Sequence, residues 1–262
     1  MAPAKSRTPP RSPSIPGRPP DPIAAVRLAD LDTRHFAAWR DRRLRAVSPA
    51  SVRREWSLLS NACSVAVREW SLLAKNPMLT VKRPKGSEQR TRRPSEDEIE
   101  RILYCLGYSR DDAPQTKTAR VGAAYRFAIQ TAMRAGEIAG LEWRDVEMQR
   151  RYLRTRGKTP AATREVPLSS EALEVLDQLA GVRDGASVFG LSTASLDALF
   201  RKARAKAGVE DLTFHDARHE AITRLAKVFD VLELARIVGH RDLRMLMVYF
   251  NPSAEDLSGK LK

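Results

Sequence analysis

Apolar side chains recur at intervals of three and four residues along most of the chain, and this periodicity commits the chain to a mainly helical fold. The pattern covers residues 33–45 and runs again from Ser48 to about Leu73. Later in the chain it predicts helices at about 115–133, 136–143, 170–180, 193–207, 215–228 and 232–238. Residues 149–157 and 163–168 are short and strand-like, which predicts a β-hairpin. The expected fold class is therefore mainly α with a small antiparallel β-sheet.

Changes in composition predict where the parts of the chain begin and end. Residues 1–22 hold eight of the 16 prolines and no acidic residue before Asp21, which is typical of disordered chain. Ser95 and Glu98 fit a capping box and mark the start of a new helix. The predicted organisation is a disordered, basic, proline-rich tail at 1–27, a helical domain at 28–80, a basic linker at 81–94 and a larger domain at 95–262.

The charge is unevenly distributed between these parts. The chain has 46 basic and 32 acidic residues, a formal net charge of +14. Residues 1–94 hold 20 basic and 7 acidic side chains, a balance of +13, so residues 95–262 are left with +1. An excess of cations in one part of a chain indicates a polyanionic partner, most often nucleic acid. We expect the first third of the chain to bind the polyanion, and the remainder to have a different function.

Several classes of protein are excluded by what the sequence lacks. No run of about 18 apolar residues predicts a transmembrane helix, and no apolar segment near the start predicts a secretory signal. The two cysteines, Cys63 and Cys105, suit a reducing compartment, so a cytoplasmic location is expected. The phosphate-loop motif of ATP-binding proteins and the GxSxG motif of hydrolases are both absent. We therefore expect no cofactor.

Three segments of the larger domain carry residues suited to chemistry, namely 131–146, 214–225 and 237–250. Among them, His215 and His219 stand four residues apart, a spacing that can bind a metal ion from one helix face. Arg218 lies between them, and a cation beside a metal ion is unfavourable, so no metal site is predicted. Two arginines, several histidines and a late tyrosine in one domain suit a phosphodiester, whose charged oxygens arginine binds through paired hydrogen bonds.

Residues 95–262 closely resemble the catalytic domain of the tyrosine recombinase, or phage integrase, family. The family pattern of Arg, Lys, His-x-x-Arg, His or Trp, and Tyr is matched in order and spacing by Arg134, Lys158, His215, Arg218, His240 and Tyr249. Residues 33–85 look like part of the family's helical core-binding domain. The N-terminal sequence is typical of phage- and plasmid-borne integrases, including shufflon-type invertases.

This resemblance implies a role for each matched residue. Tyr249 would be the nucleophile, giving a 3′-phosphotyrosyl intermediate, while Arg134 and Arg218 would stabilise the transition state. His215 would be the general base and Lys158 the general acid for the 5′-oxygen. His240 would contact the phosphate or support the Tyr249 helix, and Glu137 would orient Arg134. Arg156 competes with Lys158 for the hairpin position, because the loop is one residue longer than usual.

The resemblance also implies the partners. We expect double-stranded DNA bound by a homotetramer on two synapsed sites, with a monomer allowed off DNA and no membrane association. Candidates for contact with DNA phosphates are basic residues of the first third, namely Arg40, Arg43, Arg53, Arg54, Lys82, Arg83 and Lys85. The helical domain at 28–80 has two strong predicted helices where the family usually has about four, so we expect a truncated domain with an incomplete DNA clamp.

The leading hypothesis is thus a site-specific DNA recombinase that performs integration, excision or inversion. One alternative is a non-enzymatic DNA-binding remnant of a mobile element, suggested by the short N-terminal domain. A second is strand cleavage of the type IB topoisomerase kind, which uses the same tyrosine chemistry without site choice. A metal-dependent nuclease built on His215 and His219 is the weakest alternative.

Overall fold

The computed structural model describes residues 20–86, 90–156, 163–240 and 242–250. The chain divides into two compact units, Met1–Arg90 and Thr91–Lys262. Residues 1–19 of the predicted tail lie outside the described residues, as does Lys158, whereas residues 20–27 are described and include a 3-10 turn at Pro22–Ala25. Among the described helices, none combines the length and the apolar character needed to cross a bilayer.

The first unit is built on two α-helices, α1 (Thr33–Ala46) and α2 (Pro49–Arg68). Short 3-10 turns at Pro22–Ala25 and Leu28–Asp30 precede them. The side chains of Asp32 and Ser48 accept hydrogen bonds from the first free N–H groups of the two helices, which fixes where each begins. The two helices bury a shared core of Phe36, Trp39, Val52, Trp56, Cys63, Met78 and Val81. Val81, which the predicted linker includes, therefore packs in this unit.

The end of α2 differs from the prediction, which placed it near Leu73. The helix stops at Arg68, and the N–H of Leu72 turns back to the carbonyl of Ala66. Ser71 has a φ of 52°, a left-handed backbone that a continuing helix does not allow. Trp70, predicted to continue the apolar stripe, is 61% exposed.

The second unit consists of seven α-helices among its described residues. They are α3 (Glu96–Leu106), α4 (Lys117–Thr131), α5 (Ala135–Ala139), α6 (Ser170–Ala180), α7 (Thr193–Lys206), α8 (Asp216–Leu225) and α9 (Val231–Val238). The capping box of Ser95 and Glu98 is present, as predicted. The helix predicted at 136–143 is wrong in extent, because α5 ends at Ala139 and a separate 3-10 turn follows at Trp143–Asp145.

Helix α4 is the centre of the second unit. Helices α3, α5, α6, α7 and α8 all contact it, and most of its side chains are buried. Tyr125 packs against Phe200 of α7 and Phe214, with ring centroids 4.8 and 5.8 Å apart. A helix enclosed in this way gives the elements around it a fixed frame, and the loops at its C-terminal end are held by that frame.

The small sheet has three antiparallel strands in the order β1 (Val146–Glu147), β2 (Tyr152–Thr155) and β3 (Arg164–Pro167). The hairpin of β2 and β3 confirms the prediction, with Leu153 opposite Val166 and both buried. Strand β1 was not predicted, because two residues are too few to show alternation. Strand β3 contacts α9, so the hairpin reaches the helices that carry the candidate site.

Candidate active site

Helix α8 carries three of the residues singled out in the sequence. Asp216, fully buried at its first position, accepts hydrogen bonds from the backbone N–H and hydroxyl of Thr213 at 2.7 and 3.0 Å. That pair closes the turn that begins the helix. His215 therefore takes the N-cap position, and Arg218 and His219 occupy the first turn of α8.

Arg218 lies at the centre of the site, with only 3% of its surface exposed. Its guanidinium donates to the carbonyl of Ala132 and, at 2.7 Å, to that of Val238, and it lies 3.1 Å from Nε2 of His240. Burial, with the positive charge of Arg134, lowers the pKa of Arg218 to about 9, so it remains cationic at neutral pH. Both carbonyls belong to helix ends, where the partial charge is negative and favours a cation.

Arg134 caps α5 and is more accessible than Arg218. Its side chain is 43% exposed, and it donates to Oε1 of Glu137 at 3.0 Å. Glu137 also accepts from the backbone N–H of Arg134 at 2.8 Å, which completes a capping box. The carboxylate thereby fixes both the start of α5 and the direction of the Arg134 side chain.

Arg164 is a site residue that the sequence analysis missed. It donates to both oxygens of Glu137, at 2.8 and 2.9 Å, and to the carbonyl of Ile237 at 2.7 Å. Burial alone would raise the pKa of Glu137, but the hydrogen bonds from Arg164 and Arg134 outweigh it and hold this pKa at about 2. A signal was available, since Arg164 stands on the same face of its strand as Val166, and that face points inward.

His240 follows α9 directly and faces Arg218. Gly239, with a φ of 69°, ends α9, and a side chain there would meet Arg164 at 3.0 Å. Burial, together with the charge of Arg218, lowers the pKa of His240 to about 4, so its imidazole is neutral at pH 7. Because Arg218 can only donate, Nε2 is the acceptor and the ring proton lies on Nδ1. Nδ1 is buried, with no hydrogen-bond partner among the described residues.

Tyr249 lies in a 3-10 turn, Met247–Tyr249, anchored by the fully buried Leu246. Its hydroxyl is 2.8 Å from Nδ1 of His219. Burial raises the pKa of Tyr249, an effect that the charges of Arg218 and Arg93 partly offset. The tyrosine is therefore protonated at neutral pH, and the group beside its hydroxyl is a histidine of α8.

His215 is exposed and lies next to this pair. Its ring meets that of His219 edge-on, with centroids 5.4 Å apart. Partial desolvation lowers the pKa of His215, as do the neighbouring His219 and Arg218. Within the described residues, no hydrogen bond joins His215 to the Tyr249 hydroxyl.

The two candidates for the hairpin cation have different standing. Arg156 donates to Asp145 at 2.8 Å and lies 3.5 Å from Glu142, so two carboxylates hold it at the base of the hairpin. Lys158 lies outside the described residues. The choice between Arg156 and Lys158 for this position therefore stays open.

The candidate DNA-contacting residues of the first unit form two groups. Arg40 donates to the carbonyl of Lys82 at 2.9 Å and Arg53 to that of Pro84 at 3.0 Å, so both hold the segment after α2 against the helices. Arg43 is paired with Glu55. The exposed cations are Arg54, Lys82, Arg83 and Lys85. We name these four the basic surface.

Comparison with known proteins gives relatives for most of the chain. The model of the phage integrase family matches residues 92–256. A protein of Haemophilus influenzae described as an integrase/recombinase is 41% identical over 88% of this chain and 64% of its own length. The shufflon-specific DNA recombinase of Escherichia coli is 33% identical over 92% of this chain and 63% of its own length. The chain thus spans less than two thirds of either relative.

The fold also matches solved structures. The crystal structure of a lambda integrase tetramer bound to a Holliday junction has a TM-score of 0.71 to this chain. The match covers 85% of this chain and 65% of the other, at 22% sequence identity. It confirms the predicted fold class, a mainly helical chain with a small antiparallel sheet.

The first prediction concerns the largely buried ion pair between Arg164 and Glu137, whose side chains are 10% and 16% exposed. Arg164→Met leaves this carboxylate without its main partner, so we expect the free energy of unfolding to fall by about 3 kcal/mol in urea denaturation. Adding Glu137→Gln to this variant should recover part of the loss.

The matched control is Arg154→Met on the same hairpin, whose ion pair with Glu165 at 3.3 Å is exposed. This change should lower the stability by less than about 1 kcal/mol. Equal effects of the two arginine substitutions would contradict a structural role for the buried pair.

Proposed function

Because this chain belongs to the phage integrase family of tyrosine recombinases, we propose that it is a site-specific DNA recombinase that cuts and rejoins DNA through Tyr249. The proposal rests on one cluster of side chains. In it, the Tyr249 hydroxyl lies with two arginines: Arg218, which is buried and cationic, and Arg134, which is more accessible. The reaction class follows from that pairing of a nucleophile with phosphate-binding groups. The family membership supports it.

The two arginines bind the scissile phosphate in this proposal. Arg134 has the exposure to meet a phosphate from solvent. Arg218 has its Nε–H and one Nη1–H without a partner among the described residues, so it can donate to a nonbridging oxygen without losing its bonds to the helix ends. Charged donors that are already in place stabilise the transition state most effectively. The neutral ring of His240 accepts from Arg218 at 3.1 Å and so helps to hold its guanidinium in place.

Tyr249 attacks the phosphorus, and the bond to the 5′-oxygen breaks as the phosphotyrosyl bond forms. The leaving 5′-oxygen receives a proton from Lys158, the general acid in this proposal. The phosphodiester is replaced by another phosphate ester, so its energy is kept for religation to a second strand. These steps need neither a nucleotide nor a metal ion.

The basic surface grips the duplex without regard to sequence. The segment that carries Lys82 and Arg83 lies on α1 and α2, because Arg40 and Arg53 bind its carbonyls and Arg83 donates to Ser57 at 2.6 Å. This arrangement holds a segment with exposed cations on the two helices. We further propose that the chain acts as a homotetramer on two synapsed sites, supported by the lambda integrase tetramer that shares its fold.

The prediction for catalysis concerns a covalent adduct. A nicked suicide substrate built from the DNA that flanks the gene should trap the protein, giving an adduct that survives denaturant on a gel. Tyr249→Phe should abolish the adduct while keeping DNA affinity. Arg134→Ala should slow its formation by about a hundredfold or more, since a donor to the transition state is lost.

Other outcomes point to other functions. Tight binding with no adduct on any such site would support a DNA-binding remnant. Relaxation of any supercoiled plasmid without strand exchange would support a topoisomerase, and adduct-free cleavage that a chelator abolishes would support a nuclease.

The prediction for DNA binding concerns the salt dependence of affinity. Lys82→Ala should weaken binding to specific and random duplexes alike and lower the slope of log K against log salt by about one. The control is Lys75→Ala, an exposed lysine of the same unit that lies beside Leu28 and Leu73 and outside the basic surface. If Lys75→Ala lowers the slope as much, the basic surface is not the grip.

A further inference from the structure

The contact between Tyr249 and His219 has chemical consequences that the family pattern does not assign. The Tyr249 hydroxyl and His219 Nδ1 are 2.8 Å apart, within the range required of a general base and its proton. We propose that His219 is the catalytic residue that takes the proton of Tyr249 during strand cleavage and returns it during religation. The inference rests on the proposed function.

The tyrosine needs such a partner. A free phenol has a pKa near 10, and burial raises the pKa of Tyr249 further. The neutral phenol is a weak nucleophile, and its oxygen cannot bond to phosphorus without releasing the proton. The residue already in hydrogen-bond contact with that oxygen is the one placed to receive it.

His215, for which the family resemblance implied this role, is less well placed. It lies at the N-cap of α8, and its ring is in edge contact with that of His219. No hydrogen bond connects it to the Tyr249 hydroxyl within the described residues. In this proposal His215 is therefore not the group that takes the Tyr249 proton.

The backbone of α8 makes His219 a rigid partner. Arg218, its neighbour in sequence, ties the helix to the ends of α4 and α9 through two carbonyls. One turn later, Thr223 donates its hydroxyl to the His219 carbonyl at 2.9 Å. The same turn of α8 thus carries Arg218, which binds the phosphate in this proposal, and His219, whose imidazole contacts the Tyr249 hydroxyl. The hydroxyl of Tyr249, on its short 3-10 turn, therefore faces an acceptor, Nδ1 of His219, whose position is fixed.

The proton and the electrons balance in this step. The phenol proton moves from Oη to Nδ1, so the imidazole is in its Nε2–H tautomer before the reaction and an imidazolium afterwards. A lone pair of Oη forms the bond to phosphorus, and the pair of the bond to the 5′-oxygen leaves with that oxygen. In religation a 5′-hydroxyl attacks, Oη departs with its bonding pair, and the imidazolium gives back the proton.

The test combines two substitutions with two substrates in single-turnover cleavage of prebound DNA. His219→Phe keeps a ring but removes the acceptor, whereas His219→Asn places an amide oxygen near the position of Nδ1 and cannot carry a proton. Both should slow adduct formation by about a hundredfold or more. Arg224→Gln, on the last turn of the same helix, removes side-chain bonds to Glu220 and Glu96 only and should cleave at the wild-type rate.

The second substrate has sulfur in place of the bridging 5′-oxygen. A thiol has a pKa near 8.5 and departs without a general acid, so this substrate bypasses proton donation to the leaving group but not removal of the Tyr249 proton. We expect the His219 variants to cleave it about a hundredfold more slowly than wild type does. Lys158→Ala, by contrast, should approach the wild-type rate on it.

Three results would overturn the inference. A wild-type rate for His219→Phe on the oxygen substrate would show that no proton passes to this residue. Recovery on the sulfur substrate would place His219 on the leaving group. A wild-type rate for His219→Asn together with a slow His219→Phe would reduce the role of His219 to holding the hydroxyl.

Should His219→Phe fail to fold, as judged by thermal melting, the rate of His219→Asn decides. If wild type itself forms no adduct, the proposed function fails instead.

Discussion

A buried guanidinium bound by the ends of two helices organises this molecule. Removing Arg218 from water is costly unless its donors find acceptors, and the chain supplies them as the carbonyls of Ala132 and Val238. Both carbonyls lack a partner within their own helix because each helix ends at that point. Ala132 has a left-handed backbone at the end of α4, and Gly239 has one directly after α9. Three helices therefore meet on one cation, and the site exists only when all three are in place.

The other charges are arranged around that cation. Glu137, with a pKa of about 2, remains a carboxylate at neutral pH and is shared by Arg134 and Arg164, so the site keeps a surplus of positive charge. His240 stays neutral beside Arg218, which avoids a further unpaired cation. A surplus of positive charge on arginines that are already held in place suits an anion such as a phosphodiester. The hydrogen-bond donors then need no rearrangement when the anion binds.

Much of the site could be predicted because local chemistry and a known pattern both mark it. The caps of α3 and of α2 follow from Ser95 and Ser48, and the order of Arg134, His215, Arg218, His240 and Tyr249 identifies the family. What escaped prediction depends on contacts distant in sequence.

The partners of Arg164 and of Tyr249 illustrate this limit. Arg164 pairs with Glu137, 27 residues away, and Tyr249 contacts His219, 30 residues away. The periodicity of apolar residues relates positions a few residues apart, so it cannot predict contacts between residues this distant in sequence. The end of α2 was overestimated for a related reason: the apolar spacing continues through Trp70, but Leu72 turns back to Ala66 and takes the chain out of the helix.

Whether Tyr249 is the nucleophile is decided by mapping the covalent bond between protein and DNA. After trapping on a suicide substrate and digestion of the DNA and of the protein, mass spectrometry of the peptides locates the attached nucleotide. We expect a 3′-linked nucleotide on Tyr249, in the peptide that follows Arg244. A nucleotide attached to any other residue would contradict this expectation.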